Sequence, residues 1–311
     1  MTRTVWLASY PKSGNTWLRI LIGNLWADGR PIGLNQLPRG SAGDRSRFDR
    51  VMLIDSGLLT HDEVDRLRPR AYAAIARPEY DYQMGQLEGA TPTRLVKVHD
   101  AYTINPIGEP LLGGADGARG AIVVVRDPRD IASSLAHHMN FSIDEAIAFM
   151  NDDDAAICKK TGAQDHQLRQ KLRNWSAHTE SWLDQTDIPA HLIRYEDLRS
   201  DTPGTLRRAL AFAGLSVTEE KINQAVGFSD FAVLREQEEQ NGFREAPRTG
   251  VKFFRRGEAG NWRDELTRQQ VLRIEAQHAR VMLRLGYELS CVSELARPPT
   301  PTPTRYGLRR R

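Results

Sequence analysis

Lys12, Ser13, Gly14, Asn15 and Thr16 stand between a short apolar run at residues 5–8 and apolar residues at Leu18, Leu21, Ile22 and Leu25. The run suits a buried strand, and the later spacing is that of one helix face. A strand, a glycine-containing loop and a helix start together make an anion site. The first helical N–H groups have no intrahelical partner, and the helix dipole favours negative charge there. Against the phosphate-binding pattern G-x-x-x-x-G-K-[ST], Ser9 stands at the first glycine, Gly14 at the second and Thr16 at the hydroxyl. Asn15 takes the lysine position, so Lys12 is the nearby ammonium. Such a loop can cradle a phosphate through its backbone, with Lys12 reaching in from the other side.

Two further clusters carry the same kind of chemistry. Residues 121–125 are continuously apolar, as a strand buried on both faces requires, and Arg126-Asp127-Pro128-Arg129-Asp130 follows. Pro128 can begin a turn and Asp130 can cap a helix opening near Ile131. Arg126 and Ser134 are then spaced so that a guanidinium fork and a hydroxyl could hold one phosphate. Residues 94–98 are again strand-like and end at His99-Asp100. Ligands of open α/β sheets bind beyond the carboxyl ends of the strands, which is where His99 would sit.

The elements that must position these groups read as one α/β domain with a mainly parallel central sheet flanked by helices. A chain of 311 residues can bury such a core, and 40% hydrophobic with 27% charged residues is ordinary for a globular protein. A net charge of +3 is too small to argue for nucleic acid. Cys158 and Cys291 are too few for a disulfide framework or a cysteine-rich metal site. No apolar run reaches the length of a membrane span, and the first residues lack the apolar stretch of a secretory signal. A cytoplasmic location is expected. Helices are expected near 62–68, 172–183, 206–215, 219–226 and 267–285, and a strand at 191–195. The charged stretch 234–248 fits a solvated helix. His137 and His138 point about 100° apart on a helix and so cannot easily share one metal ion. No metal is expected.

The segment Tyr10-Pro-Lys-Ser-Gly-Asn-Thr-Trp17 resembles the 5′-phosphosulfate loop of the sulfotransferases that use 3′-phosphoadenosine 5′-phosphosulfate (PAPS). That family usually carries Thr at the position of Asn15. Lys97-Val98-His99 is similar to its Lys-x-His segment, and Arg126 with Ser134 to its 3′-phosphate motif. Phe254-Arg255-Arg256-Gly257 and Gly260-Asn261-Trp262-Arg263 resemble its Arg-Lys-Gly-x-x-Gly-Asp-Trp-Lys segment, with positive charge kept at 256 and 263.

The resemblance implies a soluble, cytosolic-type enzyme with a P-loop-like phosphosulfate loop. Its donor would be PAPS and its product 3′-phosphoadenosine 5′-phosphate (PAP). His99 would be the general base. Lys12 and Lys97 would stabilise charge on the transferring group. Ser13, Gly14, Asn15 and Thr16 would hold the 5′-phosphate, Asn15 through a side-chain donor. Arg126, Ser134, Arg255, Arg256 and Gly257 would meet the 3′-phosphate, with Ser134 also counted among the catalytic residues. Trp17, Tyr195, Ser229 and Phe231 would lie near adenine. The family's dimer motif would begin at Arg263, where Thr267 matches but Arg268 and Leu272 do not, so the oligomeric state stays open.

The acceptor is expected to be a small hydroxyl-bearing molecule, chosen by segments outside the motifs: 27–93, 139–170 and 234–250. Tyr72, Tyr80 and Tyr82 would offer amphipathic surface in the first of these. Residues 1–296 would form the domain, and 297–311, alternating Pro and Thr before three arginines, a disordered basic tail. The competing readings are a P-loop kinase or NTPase, and a non-catalytic nucleotide-binding relative. The kinase reading would want an acidic metal ligand at the end of residues 121–125, where Arg126 stands.

Overall fold

Alternation within two apolar runs builds the centre of the molecule. Every residue of β1 (Thr4–Ser9) is buried, and so is every residue of the strand Gly120–Val125. Val5, Leu7, Ile122 and Val124 pack on one side with Leu18, Leu21, Leu206 and Leu210. Trp6, Ala8, Ala121 and Val123 pack on the other with Ile131, Leu135, Trp175 and Ile274. A period of two thus feeds two cores from one sheet. Truncating Leu7 or Ile122 to Ala would cost about 2–5 kcal/mol.

A computed structural model describes residues 3–37, 41–77, 93–160, 166–246 and 252–291. After β1 come α1 (Asn15–Asn24), α2 (Arg45–Met52), α3 (His61–Ile75) and β2 (Arg94–Val98). The single turn α4 (Gly114–Gly117) leads into β3 (Gly120–Val125), followed by α5 (Pro128–Met139) and α6 (Ile143–Asn151). β4 (Ala156–Ile157) and β5 (Gln170–Lys171) form a small antiparallel pair. Next are α7 (Trp175–Leu183), β6 (Ala190–Arg194), α8 (Tyr195–Ser200) and α9 (Thr202–Phe212). The described chain ends with α10 (Glu219–Phe228), α11 (Phe231–Asn241), α12 (Trp262–Glu265) and α13 (Arg268–Arg284).

The main sheet has the order β2-β1-β3-β6 and is parallel throughout. Its register sets the site. Ala8 pairs with Val98, Ser9 with Val124, and Val125 with Arg194. All four strands therefore end along one edge, and the loop after Ser9, His99, Arg126 and Tyr195 emerge side by side.

Several boundaries differ from expectation. α3 runs well past Arg68, straight through Pro69. The carbonyl of Asp65, which loses its helical donor to the proline, accepts instead from Asn105 Nδ2 at 3.4 Å. A Thr60–Glu63 capping box starts this helix. α5 begins at Pro128 and not near Ile131. Asp127 is its N-cap, accepting from Arg129 N at 2.9 Å, with proline at the first helical position. Asp130 therefore does not cap the helix. α7 opens at Trp175 behind the cap Asn174, because Gln170 and Lys171 are taken by β5. Tyr195 opens α8 and does not end a strand. Part of the 234–248 stretch is helical in α11, as its charges led one to expect. Tyr72 is no binding surface: it is buried, and its hydroxyl donates to Ala42 O at 2.7 Å. Tyr80, Tyr82 and the tail 297–311 lie outside the described residues. Neither Cys158 nor Cys291 is in a disulfide. Among the described residues no helix is long and apolar enough to cross a membrane.

Candidate active site

A cleft of about 390 Å³ opens along the strand ends. Its first wall is the loop between β1 and α1. Lys12 and Gly14 both hold left-handed backbone, with φ of 70° and 103°. At Gly14 any side chain would also collide, since a Cβ would stand 2.5 Å from the Tyr195 ring. No side chain caps α1, so its opening N–H groups face the cleft without a built-in acceptor. Asn15 behaves differently from expectation. Its Nδ2 donates to Leu7 O at 2.8 Å and Ser9 Oγ at 3.2 Å, so the amide braces the loop against β1. Its side chain has no donor left for an anion. Ser13 is fully buried and does not line the cleft.

The cations converge from four elements. Lys12 Nζ lies 4.1 Å from the centre of the Phe253 ring, and Lys97 and Arg126 stand at the ends of their strands. Arg255 and Arg256 come from the segment before α12. Burial, then repulsion from Lys97 and Arg126, holds the Lys12 ammonium down to about 7. Burial likewise lowers Lys97. Buried cations gathered in one cleft mark it as a candidate anion site.

Asp130 keeps the last cluster in place. Its carboxylate accepts from Gly260 N at 2.6 Å and Trp262 N at 3.0 Å, which pins the Arg255–Trp262 stretch to α5. Arg129 is buried between Asp127 and Glu275, 2.7 Å from each, and lies over the Trp262 ring at 4.0 Å. The charged run 126–130 is thus framework apart from Arg126. Arg126 donates to Glu258 O at 2.9 Å and lies 4.4 Å above the Tyr195 ring. Ser134 lines the cleft from the seventh position of α5, further into the helix than the expected start implied.

An aromatic corner closes this end. Trp17 and Tyr195 meet edge to face at 6.0 Å. The Tyr195 hydroxyl donates to Gly257 O at 3.0 Å, and Phe231 packs so closely on Gly257 that a Cβ there would lie 2.3 Å from its ring. Ser229 is buried beneath the corner. Its carbonyl accepts from Trp17 Nε1 at 3.0 Å and its hydroxyl from Asn24 Nδ2 at 3.0 Å, so it sets the indole and does not line the cleft.

At the opposite end His99 is half-buried, its Nδ1 donating to Ser9 O at 2.7 Å. A carbonyl only accepts, so the proton sits on Nδ1 and the lone pair on Nε2. Burial, reinforced by Lys97, holds this imidazole down to about 3. The backbone around it is clamped from α7: His178 Nε2 donates to His99 O and Trp182 Nε1 to Asp100 O, each at 3.0 Å. Pro11, His138, Met139, Ile157 and Gln167 line the cleft as well. His138 meets Phe253 edge to face at 6.2 Å, while His137 does not reach the wall.

Sequence reasoning missed three residues of the cleft region. Arg199 lies 5.2 Å from the Trp17 ring. Glu265 pairs with Arg255 at 3.0 Å and Arg256 at 3.3 Å. Glu245 accepts from Thr16 Oγ1 at 3.2 Å and from Arg19 at 2.8 Å, and lies 3.5 Å from Lys97. The contacts of Arg199 and Glu245 join residues far apart in sequence, so no local pattern announces them.

Residues 2–286 match the sulfotransferase domain family. The chain is 22% identical over 280 residues to luciferin sulfotransferase of Photinus pyralis, covering 86% of this chain and 69% of that protein. In fold it is similar to mouse sulfotransferase SULT7A1 complexed with PAP, at 18% identity and a TM-score of 0.54, covering 90% of this chain and 84% of the other. It is also similar to retinol dehydratase in complex with androsterone and PAP, at 20% identity and a TM-score of 0.53, covering 90% and 80%. These structural likenesses carry the P-loop-like α/β fold. With the family match spanning nearly the whole described chain, the protein belongs to the sulfotransferase family.

Proposed function

We propose that the protein transfers a sulfuryl group from PAPS to a hydroxyl of a small acceptor, with His99 as general base. The observation that carries this reading is the meeting of a neutral, lone-pair-bearing His99 with Lys12 and Lys97 in one cleft. At the far end of that cleft stand Arg126, Ser134, Arg255 and Arg256.

The residues fit a donor with two anionic ends. Backbone N–H groups at the start of α1, with Thr16 and Lys12, suit a 5′-phosphosulfate. Arg126, Ser134, Arg255 and Arg256 suit a 3′-phosphate, and Gly257 lets the backbone come close. Trp17, Tyr195 and Phe231 form a flat-faced corner of the right chemistry for adenine. PAPS supplies an activated sulfuryl group. This chain holds both ends of the donor, neutralises charge beside the bridging oxygen through Lys12 and Lys97, and accepts the acceptor's proton at His99 Nε2. Positioning and electrostatics supply most of the rate in such in-line transfers.

The test is calorimetry together with transfer from labelled PAPS. PAP should bind far more tightly than AMP, since each lost charge-assisted bond to a phosphate costs on the order of 1.5–3 kcal/mol. Equal affinity for PAP and AMP, with label staying on the nucleotide, would overturn the reading.

A further inference from the structure

Glu245 puts a carboxylate among the donors that the proposed reaction needs for its own anion. One oxygen accepts from Arg19 Nη1 at 2.8 Å. The other accepts from Thr16 Oγ1 at 3.2 Å and lies 3.5 Å from Lys97 Nζ. The position is built by packing on both sides. Phe243 is buried against Phe253 and Phe254, with ring centres 5.0 and 5.6 Å away. Arg244 donates its backbone N–H to Asn35 Oδ1 at 2.9 Å and its guanidinium to Asn35 O at 3.0 Å.

We propose that Glu245 is an internal counter-anion of the donor site and determines how tightly the 5′ end of the nucleotide is held. The inference rests on the PAPS reading above. Glu245 competes with the 5′-phosphate for Thr16 and with the sulfuryl group for Lys97, so every binding event must first undo Glu245 contacts. The exchange favours a phosphosulfate, which carries more charge and more acceptor oxygens than a carboxylate. It favours the product less. Once the sulfuryl group has left, Lys97 loses its partner on the nucleotide, and the carboxylate can return and help expel PAP. Competition of this kind lowers affinity only for ligands that bear a 5′ anion. That separates it from a general charge effect across the cleft.

Two ligands and two variants test it. PAP carries both phosphates, whereas adenosine 3′-phosphate lacks the 5′ group. Their affinities for the wild type, Glu245→Gln and Glu245→Ala are measured by calorimetry, and ligand-free unfolding confirms that each variant is folded. Both variants should bind PAP at least about tenfold more tightly, as expected when a competing charge-assisted contact is removed. Adenosine 3′-phosphate should change by less than about twofold. If PAP binds the folded variants no better than the wild type, the proposal falls while the donor reading stands. Equal tightening of both ligands also overturns it, because the effect is then not local to the 5′ site. A wild type that binds PAP no better than AMP overturns the donor reading, and this inference with it.

Discussion

Arg68 and Asp100 form a two-oxygen ion pair, 2.6 and 3.1 Å, with neither side chain exposed to solvent. The pair joins α3 to the residue immediately after His99. Lys171 N adds a third contact to Asp100 at 2.9 Å. Asp100 is therefore turned into the core and is not a substitute base for His99.

Breaking that pair should unfold the protein before it changes the chemistry. Asp100→Asn leaves a buried guanidinium without its counter-charge, a loss of about 3–5 kcal/mol. Denaturant unfolding should show this destabilisation, while PAP affinity of the folded fraction stays near the wild-type value. A variant as stable as the wild type would mean that Arg68 is neutralised by Asp65, 3.4 Å away, alone.

His99→Ala should lower turnover by about 10²–10⁴-fold and leave PAP affinity nearly unchanged, because the base meets the acceptor and not the donor. The imidazole is held down to about 3, so it is a neutral base throughout the physiological range. The free enzyme's kcat/KM should thus show no acid limb near the ordinary histidine value. An acid limb with a midpoint near 6.5 that vanishes in His99→Ala would contradict the buried, Nδ1-protonated state.

The sheet was legible because its signal is local. Residues 121–125 have the composition of a strand covered on both faces, and the apolar run, glycine and helix spacing around Gly14 survive without tertiary context. The cap of α5 was also written locally, as Asp127 before Pro128, yet Asp130 three residues on offered the same chemistry. What decided between them was the Arg255–Trp262 stretch, which claims the Asp130 carboxylate from across the molecule. Asn15 shows the same limit. Its type fits an anion contact, but the buried carbonyl of Leu7 takes its amide first. α3 overrode the usual break at Pro69 because Arg68, Tyr72 and Ile75 are buried along one face. Arg199 and Glu245 depend on pairings that no window of sequence contains.

The Lys12 ammonium gives the donor site a pH dependence whose sign follows from linkage. Burial and its cationic neighbours hold it to about 7 in the free protein, and a bound anion favours the charged form. Binding above that value must therefore take up a proton. PAP affinity should be highest below pH 7 and weaken as the pH rises through it, by at most about tenfold per unit for one proton. Calorimetry in two buffers of different ionisation enthalpy would count the proton directly. Lys12→Arg, permanently charged, should lose most of the slope and leave only what Lys97 contributes. A flat affinity between pH 6 and 9 would show that Lys12 stays charged throughout.

Acceptor choice should depend on the His99 end of the cleft and not on residues 27–77. None of the described residues in that span lines the cleft, whereas Met139, Ile157 and Gln167 come from 139–170, and Arg244 and Glu245 from 234–250. The wall of the cleft that holds His99 also carries apolar Pro11, Met139 and Phe253 and two uncharged polar groups, His138 and Gln167. His138 Nδ1 is buried without a hydrogen-bond partner, and burial together with Lys12 and Lys97 holds the ring down to about 4, so it is neutral. A neutral imidazole and an amide suit an acceptor that bears a second uncharged polar substituent besides the reacting hydroxyl. His138→Phe and Gln167→Leu should each lower kcat/KM for such acceptors by about tenfold, the worth of one directed hydrogen bond in a closed site. Phenols with a single hydroxyl should be unaffected or improved. The measurement is a mass-spectrometric screen of hydroxyl compounds for the gain of one sulfuryl group, run on the wild type and both variants. If both variants keep the wild-type ranking of acceptors while a replaced 27–77 segment changes it, specificity resides in that segment and the polar wall is only structural.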